Sequence, residues 1–249
     1  MILIGNRLSH SIAVIFISTT VLLSNPAAAS STNQDSWSGS GEFGASLTTG
    51  NTKTTSANGK LKLKYKSGRW SQRLALSALQ ASENGNSTAN RTVGELSTQY
   101  DFDGRDYAFG SLRGSHDTFS GYSYQASVAA GLGRKLWVSQ KSDLTAEFGP
   151  GYRRSKLVNG QTENNLIGRA NIRFKYKISG TTSFTQAVTV LSGAANTEID
   201  SESGFSVSVT KTLAMKVAYT AQHNSRVPVG AKKTDTFTSV NLVYAFGDK

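Results

Sequence analysis

Polar and apolar residues alternate along the chain from 57 to 66. The polar positions carry a run of lysines: Lys60, Lys62, Lys64 and Lys66. The positions between them are apolar: Leu61, Leu63 and Tyr65. A period of two is typical of a β-strand with a different solvent on each face, whereas a helix would scatter the lysines around its circumference. The segment therefore predicts a strand whose lysines all point to one side.

The same alternation returns roughly every 15 to 20 residues, which leaves room for hairpins but not for crossover helices. Proline is rare and Gly, Ser, Thr and Asn separate the strand-like runs. Twelve strands are predicted, at 37–48, 55–66, 70–81, 91–100, 106–115, 122–136, 143–154, 165–178, 183–192, 202–210, 213–223 and 234–246. The chain is therefore expected to be an all-β, closed antiparallel barrel of about 12 strands.

The predicted connections alternate between long and short. Polar stretches at 82–90 and 193–200 predict long loops, and the segments 67–68 and 101–104 predict tight turns. Both chain ends then lie on the side of the short turns. An even strand number with this asymmetry is typical of bacterial outer-membrane barrels, whose short turns face the periplasm.

A soluble barrel with apolar residues inside fits the same alternation, and the aromatic residues decide between the two. Nine aromatics fall at strand ends on the short-turn side: Trp37, Tyr65, Trp70, Tyr100, Trp137, Tyr176, Phe184, Tyr244 and Phe246. Membrane barrels place aromatics at the interface in this way, and a soluble core would bury its tryptophans in mid-strand. Small residues such as Gly168 and Ala170 on the apolar faces also favour contact with lipid.

The first 29 residues have the features of a secretory leader. Arg7 precedes an apolar run at 12–23 that is too short to span a bilayer, and small residues at 27–29 fit a signal-peptidase site. We expect a cleaved signal peptide at 1–29, a short periplasmic segment at 30–36, the transmembrane barrel at 37–246 and a C-terminal extension at 247–249. The chain has no cysteine, so disulfides do not stabilise it.

The formal net charge is +11, which in other settings indicates nucleic acid or an acidic surface. Export argues against nucleic acid. The expected partners are outer-membrane lipid and lipopolysaccharide, small anionic solutes, and the barrel-assembly machinery. The last of these follows from the final strand, whose outward Leu242, Tyr244 and Phe246 look like a terminal assembly signal.

Several segments spread over the mature chain resemble one family. They lie at 50–52, 107–110, 119–127, 149–153, 182–186, 223–225 and 233–236. In these segments the chain resembles the salt-stress-induced outer-membrane proteins, a family of unknown function whose members are predicted to be outer-membrane β-barrels. The resemblance implies a location in the Gram-negative outer membrane and a fold, without a reaction, a cargo or catalytic residues.

Two basic ladders are expected to face the lumen. The lysines of the second strand form one ladder, and the eighth strand supplies the other with Arg169, Arg173, Lys175 and Lys177. Strands two and eight are opposite each other in a closed barrel of twelve. Facing cations focus the field and draw anions into a pore. The favoured hypothesis is therefore a small diffusion pore with anion preference.

Charge pairing supports an alternative, a narrow or plugged structural barrel related to envelope stress. The first hairpin sets Glu42 opposite Lys60, and the fourth sets Glu147 near Arg173. Cross-strand pairs of opposite charge are ordinary sheet stabilisation, and side chains fill small barrels. Two carboxylates do not neutralise eight cations, however, so the pore hypothesis stands beside the structural one.

The residues give little support for an enzyme or a metal site. His116 and His223 fall on strands five and eleven, across the barrel from each other, whereas proton transfer needs groups about 3 Å apart. Without cysteine, nothing matches zinc spacing. Four acidic residues are assigned to loops, where they would touch calcium only nonspecifically: Glu163, Glu198, Asp200 and Glu202. We therefore expect neither catalysis nor a cofactor.

Overall fold

The computed structural model describes residues 35–48, 54–117, 120–227 and 232–247. Within them lie twelve strands: β1 (Ser36–Thr48), β2 (Thr54–Ser67), β3 (Trp70–Glu83), β4 (Asn86–Asp101), β5 (Asp106–Asp117), β6 (Tyr122–Val138), β7 (Ser142–Leu157), β8 (Thr162–Lys177), β9 (Thr182–Gly193), β10 (Thr197–Ser208), β11 (Leu213–Asn224) and β12 (Thr234–Gly247). The barrel therefore includes residues 36 and 247, just beyond the predicted limits. The predicted leader, most of the 30–36 segment and residues 248–249 lie outside the described residues.

Each strand pairs antiparallel with its neighbours in sequence, and β1 pairs with β12 to close the barrel. The prediction of a closed, twelve-stranded antiparallel barrel is confirmed. We call the end where β1 begins and β12 ends the terminal side, and the opposite end the distal side. No helix in the described residues is long and apolar enough to cross a membrane.

The inside of this barrel is polar and its outside is apolar. Glu42, Glu147 and Arg169 are buried, whereas Phe148 is 70% exposed and Leu166 is 80% exposed. A soluble barrel has the opposite arrangement, because water must contact its outer surface. An apolar band outside a polar interior is the arrangement of transmembrane barrels.

Two predicted long loops are wrong. Residues 82–90 belong largely to β3 and β4, which meet at a turn made by Asn84 and Gly85. Both residues have positive φ, 50° and 83°, as a type I′ hairpin turn requires. Similarly, β10 already begins at Thr197. Long and short connections therefore do not alternate, since the polar residues at these distal strand ends are strand residues.

The turn between β4 and β5 is fixed by a side chain. The backbone N–H groups of Asp106 and Arg105 donate to Asp103 Oδ1 over 2.8 and 3.0 Å. These hydrogen bonds stabilise the charged carboxylate, so they lower the pKa of Asp103 below its ordinary value. The sequence predicts this turn correctly, because Asp and Gly supply the local hydrogen bond and the positive φ that turns need.

A pair of glycines allows β6 and β7 to approach closely in mid-barrel. A Cβ atom added to Gly131 would lie 2.6 Å from the Cα of Gly149, and one added to Gly149 would lie 2.7 Å from the Cα of Gly131. Both overlaps are with backbone atoms, which, unlike the end of a flexible side chain, cannot rotate out of the way. The register is the same on both sides of this point, at the Ala129–Gly151 and Leu132–Phe148 pairs, but the residues between them form no regular ladder pairs.

We expect Gly149→Val to destabilise the barrel by at least about 1–3 kcal/mol, the usual cost of overpacking a filled site. Heat-modifiable gel mobility and thermal unfolding by circular dichroism would measure the loss. Gly168→Val is the matched control on the adjacent strand, since a Cβ there meets nothing within 4 Å. Equal melting temperatures for the two variants would contradict the assigned role of Gly149.

Candidate functional site

The lumen face of each strand is identified by contacts that cross the barrel. Lys60 on β2 pairs with Glu202 on β10, and Arg169 on β8 pairs with Glu95 on β4. Alternate residues share a face, so the other lysines of the second-strand ladder point inward with Lys60, and Arg173, Lys175 and Lys177 point inward with Arg169. All eight predicted cations therefore lie on the lumen face, on strands six apart in the ring of twelve.

One group of ion pairs joins β1, β2, β10 and β11. Lys216 Nζ lies 3.0 Å from Glu42 Oε2 and 2.8 Å from Glu202 Oε1. Lys60 also pairs with Glu202, and Lys62 Nζ lies 3.5 Å from Glu42 Oε1. Glu42 is opposite Lys60 in the register, as predicted. Two of the four ladder lysines of β2 are thus compensated by carboxylates.

A second group surrounds Glu147 on β7. Arg169 Nη1 lies 2.8 Å from Glu147 Oε2, and Arg173 pairs with the other oxygen of the same carboxylate. Tyr107 Oη donates to Glu147 Oε1 over 3.1 Å. Arg169 Nη2 in turn lies 3.0 Å from Glu95 Oε1. Glu147 therefore compensates both arginines of β8, and the predicted proximity of Glu147 and Arg173 is seen.

A third group connects opposite walls of the barrel. Arg91 Nη2 on β4 lies 2.9 Å from Asp200 Oδ1 on β10, six strands away. Arg113 Nη2 on β5 lies 3.0 Å from Glu198 Oε1 and also pairs with Asp200. Glu198 is 3% exposed, so its charge is removed from water. We call Arg91, Arg113, Glu198 and Asp200 the cross-lumen cluster, because their ion pairs cross the lumen.

The prediction that the four acidic residues lie in loops is wrong. Glu163 lies on β8, and Glu198, Asp200 and Glu202 lie on β10, where they pair with lumen cations. With Glu95 they raise the number of lumen carboxylates, so the expected ratio of two carboxylates to eight cations is also wrong. A usable signal was present, because the acids alternate with Ile199 and Ser201 at the period of a strand.

Four lumen lysines near the terminal side are exposed and have no carboxylate within 4.0 Å among the described residues. We call Lys64, Lys66, Lys175 and Lys177 the terminal lysines. Lys64 lies opposite Arg73 in the β2–β3 register, a pair of like charges that destabilises a sheet. Lys175 has Asp143 as its cross-strand neighbour. Positive charge therefore concentrates at one opening of the barrel.

Hydrogen bonds hold the turn between β9 and β10 in place at the distal opening. Arg153 Nη2 donates to the backbone oxygen of Asn196 over 2.5 Å, and Asn196 Nδ2 donates to Asn224 Oδ1 over 2.8 Å. Arg153 and Asn196 are each only 1% exposed. These contacts join β7 and β11 through one turn at the distal opening. No sequence pattern indicates these contacts, because they join strands that are not adjacent in the chain and depend on how the barrel closes.

The two histidines of the described residues are not brought together. Nδ1 of His116 lies 2.5 Å from the backbone oxygen of Ser123, and Nδ1 of His223 lies 2.9 Å from Thr234 Oγ1. They lie on β5 and β11, six strands apart. No group of three or more His, Asp or Glu side chains in the described part of the chain is placed to hold a metal ion.

The nine predicted interface aromatics lie toward the terminal side on the outward face. Trp37 is 61% exposed, with its ring centroid 4.7 Å from that of Tyr65, and Trp70 is 4.9 Å from Tyr100. The others are Trp137, Tyr176, Phe184, Tyr244 and Phe246. Just outside the barrel, hydrogen bonds from Ser67 and Tyr65 lower the pKa of Asp35. The terminal side thus has aromatics outside and lysines inside.

Comparison with known proteins identifies both a family and a fold. The sequence model of a family described as "Protein of unknown function, DUF481" matches residues 41–246. The uncharacterized protein YdiY of Escherichia coli (strain K12) is 33% identical over 141 residues, 56% of this chain and 56% of YdiY. The aligned region thus spans about half the length of that relative.

Two solved porin structures are similar to this barrel. The NanC porin has a TM-score of 0.50 and 12% identity, covering 84% of this chain and 98% of NanC. The KdgM porin in complex with disordered oligogalacturonate has a TM-score of 0.45 and 11% identity, covering 86% of this chain and 99% of KdgM. At such low identity the likeness to NanC shows the fold alone, that of a closed antiparallel β-barrel.

Proposed function

Because the chain belongs to the DUF481 family, whose function is unknown, we propose from its lumen that it is a narrow, anion-preferring channel of the bacterial outer membrane. The terminal side faces the periplasm and the distal side, which carries the long 225–233 connection, faces outward, because such barrels have short periplasmic turns and longer extracellular loops. The leader at 1–29 directs export, and the barrel-assembly machinery inserts the chain. The channel needs no cofactor and catalyses no reaction.

The terminal lysines are the observation that carries this proposal. Four exposed cations at one opening raise the local concentration of anions, and low-dielectric walls focus their field. The placement of Lys64 opposite Arg73 costs stability, because like charges face each other. The cost in stability is explained if the exposed positive charge binds anions at the opening. Small anions are the expected solutes, since the cross-lumen cluster limits what passes beyond the opening.

Single-channel recording of the refolded mature chain in a planar bilayer tests the proposal. Under a gradient of potassium chloride, we expect discrete openings with a reversal potential on the anion-selective side, because the uncompensated lumen charges are positive. The size of the shift should fall as salt rises, since the screening length drops from about 10 Å at 0.1 M to about 3 Å at 1 M. Cation-selective openings would exclude this function.

The cross-lumen cluster favours a second candidate, a barrel that conducts nothing and serves the envelope under stress. Ion pairs that join Arg91 to Asp200 across the whole lumen leave little room for a path. A folded, heat-modifiable barrel that stays electrically silent would support this candidate. Induction by salt stress, implied by the family resemblance, belongs to this proposal and is tested by protein levels at low and high salt.

A further inference from the structure

Two cations of β7 face outward, on the surface that otherwise presents apolar residues. Arg154 and Lys156 are exposed, near the distal end of the strand at Leu157, and have no carboxylate within 4.0 Å among the described residues. Another outward arginine, Arg134, is paired with Asp106 at 3.4 Å. A charge on the lipid face is tolerated only near the headgroups or beside a counter-ion. No described carboxylate neutralises Arg154 and Lys156, so both cations are available to an anionic group of the surrounding lipid.

The strand register orders the outward residues around these cations from polar to apolar. From the distal side inward, three rows cross β6, β7 and β8. They are Tyr124, Lys156 and Thr162; then Ala126, Arg154 and Asn164; then Val128, Tyr152 and Leu166. The change in polarity along these rows matches that of a membrane lipid, whose polar headgroup lies nearer the membrane surface than its acyl chains.

A groove opens beside Arg154 on the same surface. Its volume is about 540 Å³, and its floor is made of small residues, Gly94, Gly114 and Ala126. Leu112 borders it on the side away from the distal end, and Arg154 also lines it. A Cβ added to Gly114 would meet nothing within 4 Å, so the space directly above this glycine is empty. The groove is shallow and open to the lipid, and its volume is large enough for part of an alkyl chain to lie along it beneath a headgroup.

We propose that Arg154 and Lys156, together with this groove, bind a phosphorylated glycolipid of the outer leaflet. Its phosphate contacts the two cations, since charge-assisted hydrogen bonds from arginine to phosphate are strong. One acyl chain lies in the groove over Gly94 and Gly114. The assignment to the outer leaflet rests on the orientation in the proposed function, in which the distal side faces outward.

Binding of purified diphosphoryl lipid A to the refolded full mature chain in detergent tests this site. Native mass spectrometry would count retained lipid, and the melting temperature would be measured with and without it. We expect Arg154→Gln with Lys156→Gln to weaken retention at least about tenfold, because each lost charge-assisted contact to phosphate is strong. Arg134→Gln, an outward arginine at the other end of the barrel, is the matched control and should retain the lipid.

A second variant tests the groove without changing any charge. Gly114→Leu fills open space, so the barrel should fold while the acyl chain loses its place. Unchanged retention in both the charge variant and Gly114→Leu would overturn the proposal. Retention of phosphatidylglycerol equal to that of lipid A, with the same dependence on Arg154, would overturn the glycolipid assignment. The binding assay needs no current, so its result is independent of whether the channel conducts.

Discussion

Replacing Asp200 with Asn and Glu198 with Gln should increase single-channel conductance several-fold and strengthen anion preference. The double variant removes the carboxylates that connect Arg91 and Arg113 to the opposite wall. Without them the arginine side chains are free to move aside, and the lumen gains net positive charge. Breaking buried ion pairs from one side costs about 3–5 kcal/mol, so the midpoint of denaturant unfolding should fall as well.

Glu163→Gln provides the control for this experiment. Glu163 also lies on the lumen side near the distal end, but its partner Arg226 is 59% exposed and the pair, at 3.5 Å, connects no opposite walls. We expect little change in conductance or stability from this variant, since exposed pairs contribute about 0–1 kcal/mol. A folded double variant whose conductance equals that of the wild type would show that ions do not pass through the cross-lumen cluster.

Local pattern was sufficient to predict the wall of this barrel. The alternation in β2 correctly places Lys60 and its ladder on one face, because a residue's face in a strand depends only on parity. Register within a hairpin is also local, so the predicted position of the turn was enough to place Glu42 opposite Lys60. The sequence is therefore informative wherever a contact lies within one strand or between adjacent strands.

The contacts across the lumen cannot be predicted from local alternation or from the register of a single hairpin. Arg91 and Asp200 are 109 residues apart, and their meeting depends on the register of every intervening hairpin. The acids of β10 were missed for a different reason. Glu198, Asp200 and Glu202 lie among Asn, Thr and Ser, and this polar composition outweighed their alternation. In a barrel with a wet interior, a polar stretch is as compatible with a strand as with a loop.

Paired and unpaired charges occupy different parts of the same lumen. The buried carboxylates compensate the cations of the barrel's middle, whereas Lys64 and Lys66 near the end of β2 have only Ser36, Ser38 and Ser71 and the like-charged Arg73 as cross-strand neighbours. Because none of these neighbours is acidic, Lys64 and Lys66 are not compensated, although other parts of the lumen contain carboxylates. A barrel selected for stability alone would gain from an acidic residue on β1 or β3 here.

Lys64→Glu with Lys66→Glu should therefore move the reversal potential most of the way to zero while making the barrel slightly more stable. The new carboxylate at position 64 faces Arg73, and opposite charges in cross-strand positions contribute about 0.2–1 kcal/mol. The preference for anions should fall because the two glutamates offset Lys175 and Lys177, so the opening loses its positive field. Reversal potentials under a salt gradient and the midpoint of denaturant unfolding would be measured on the same preparations.

Arg69→Glu with Lys141→Glu makes the same charge change in turns of the terminal side, outside the strands. A smaller shift is expected there, because both side chains lie in turns beyond the strand ends, where water and salt screen their charge more than inside the lumen. Comparison of the two double variants separates a charge in the path from a charge near it. If both shift the reversal potential equally, the terminal lysines act only through the overall charge of the opening. If the lumen variant gains stability and leaves selectivity unchanged, anions do not pass Lys64, and the structural barrel becomes the better account.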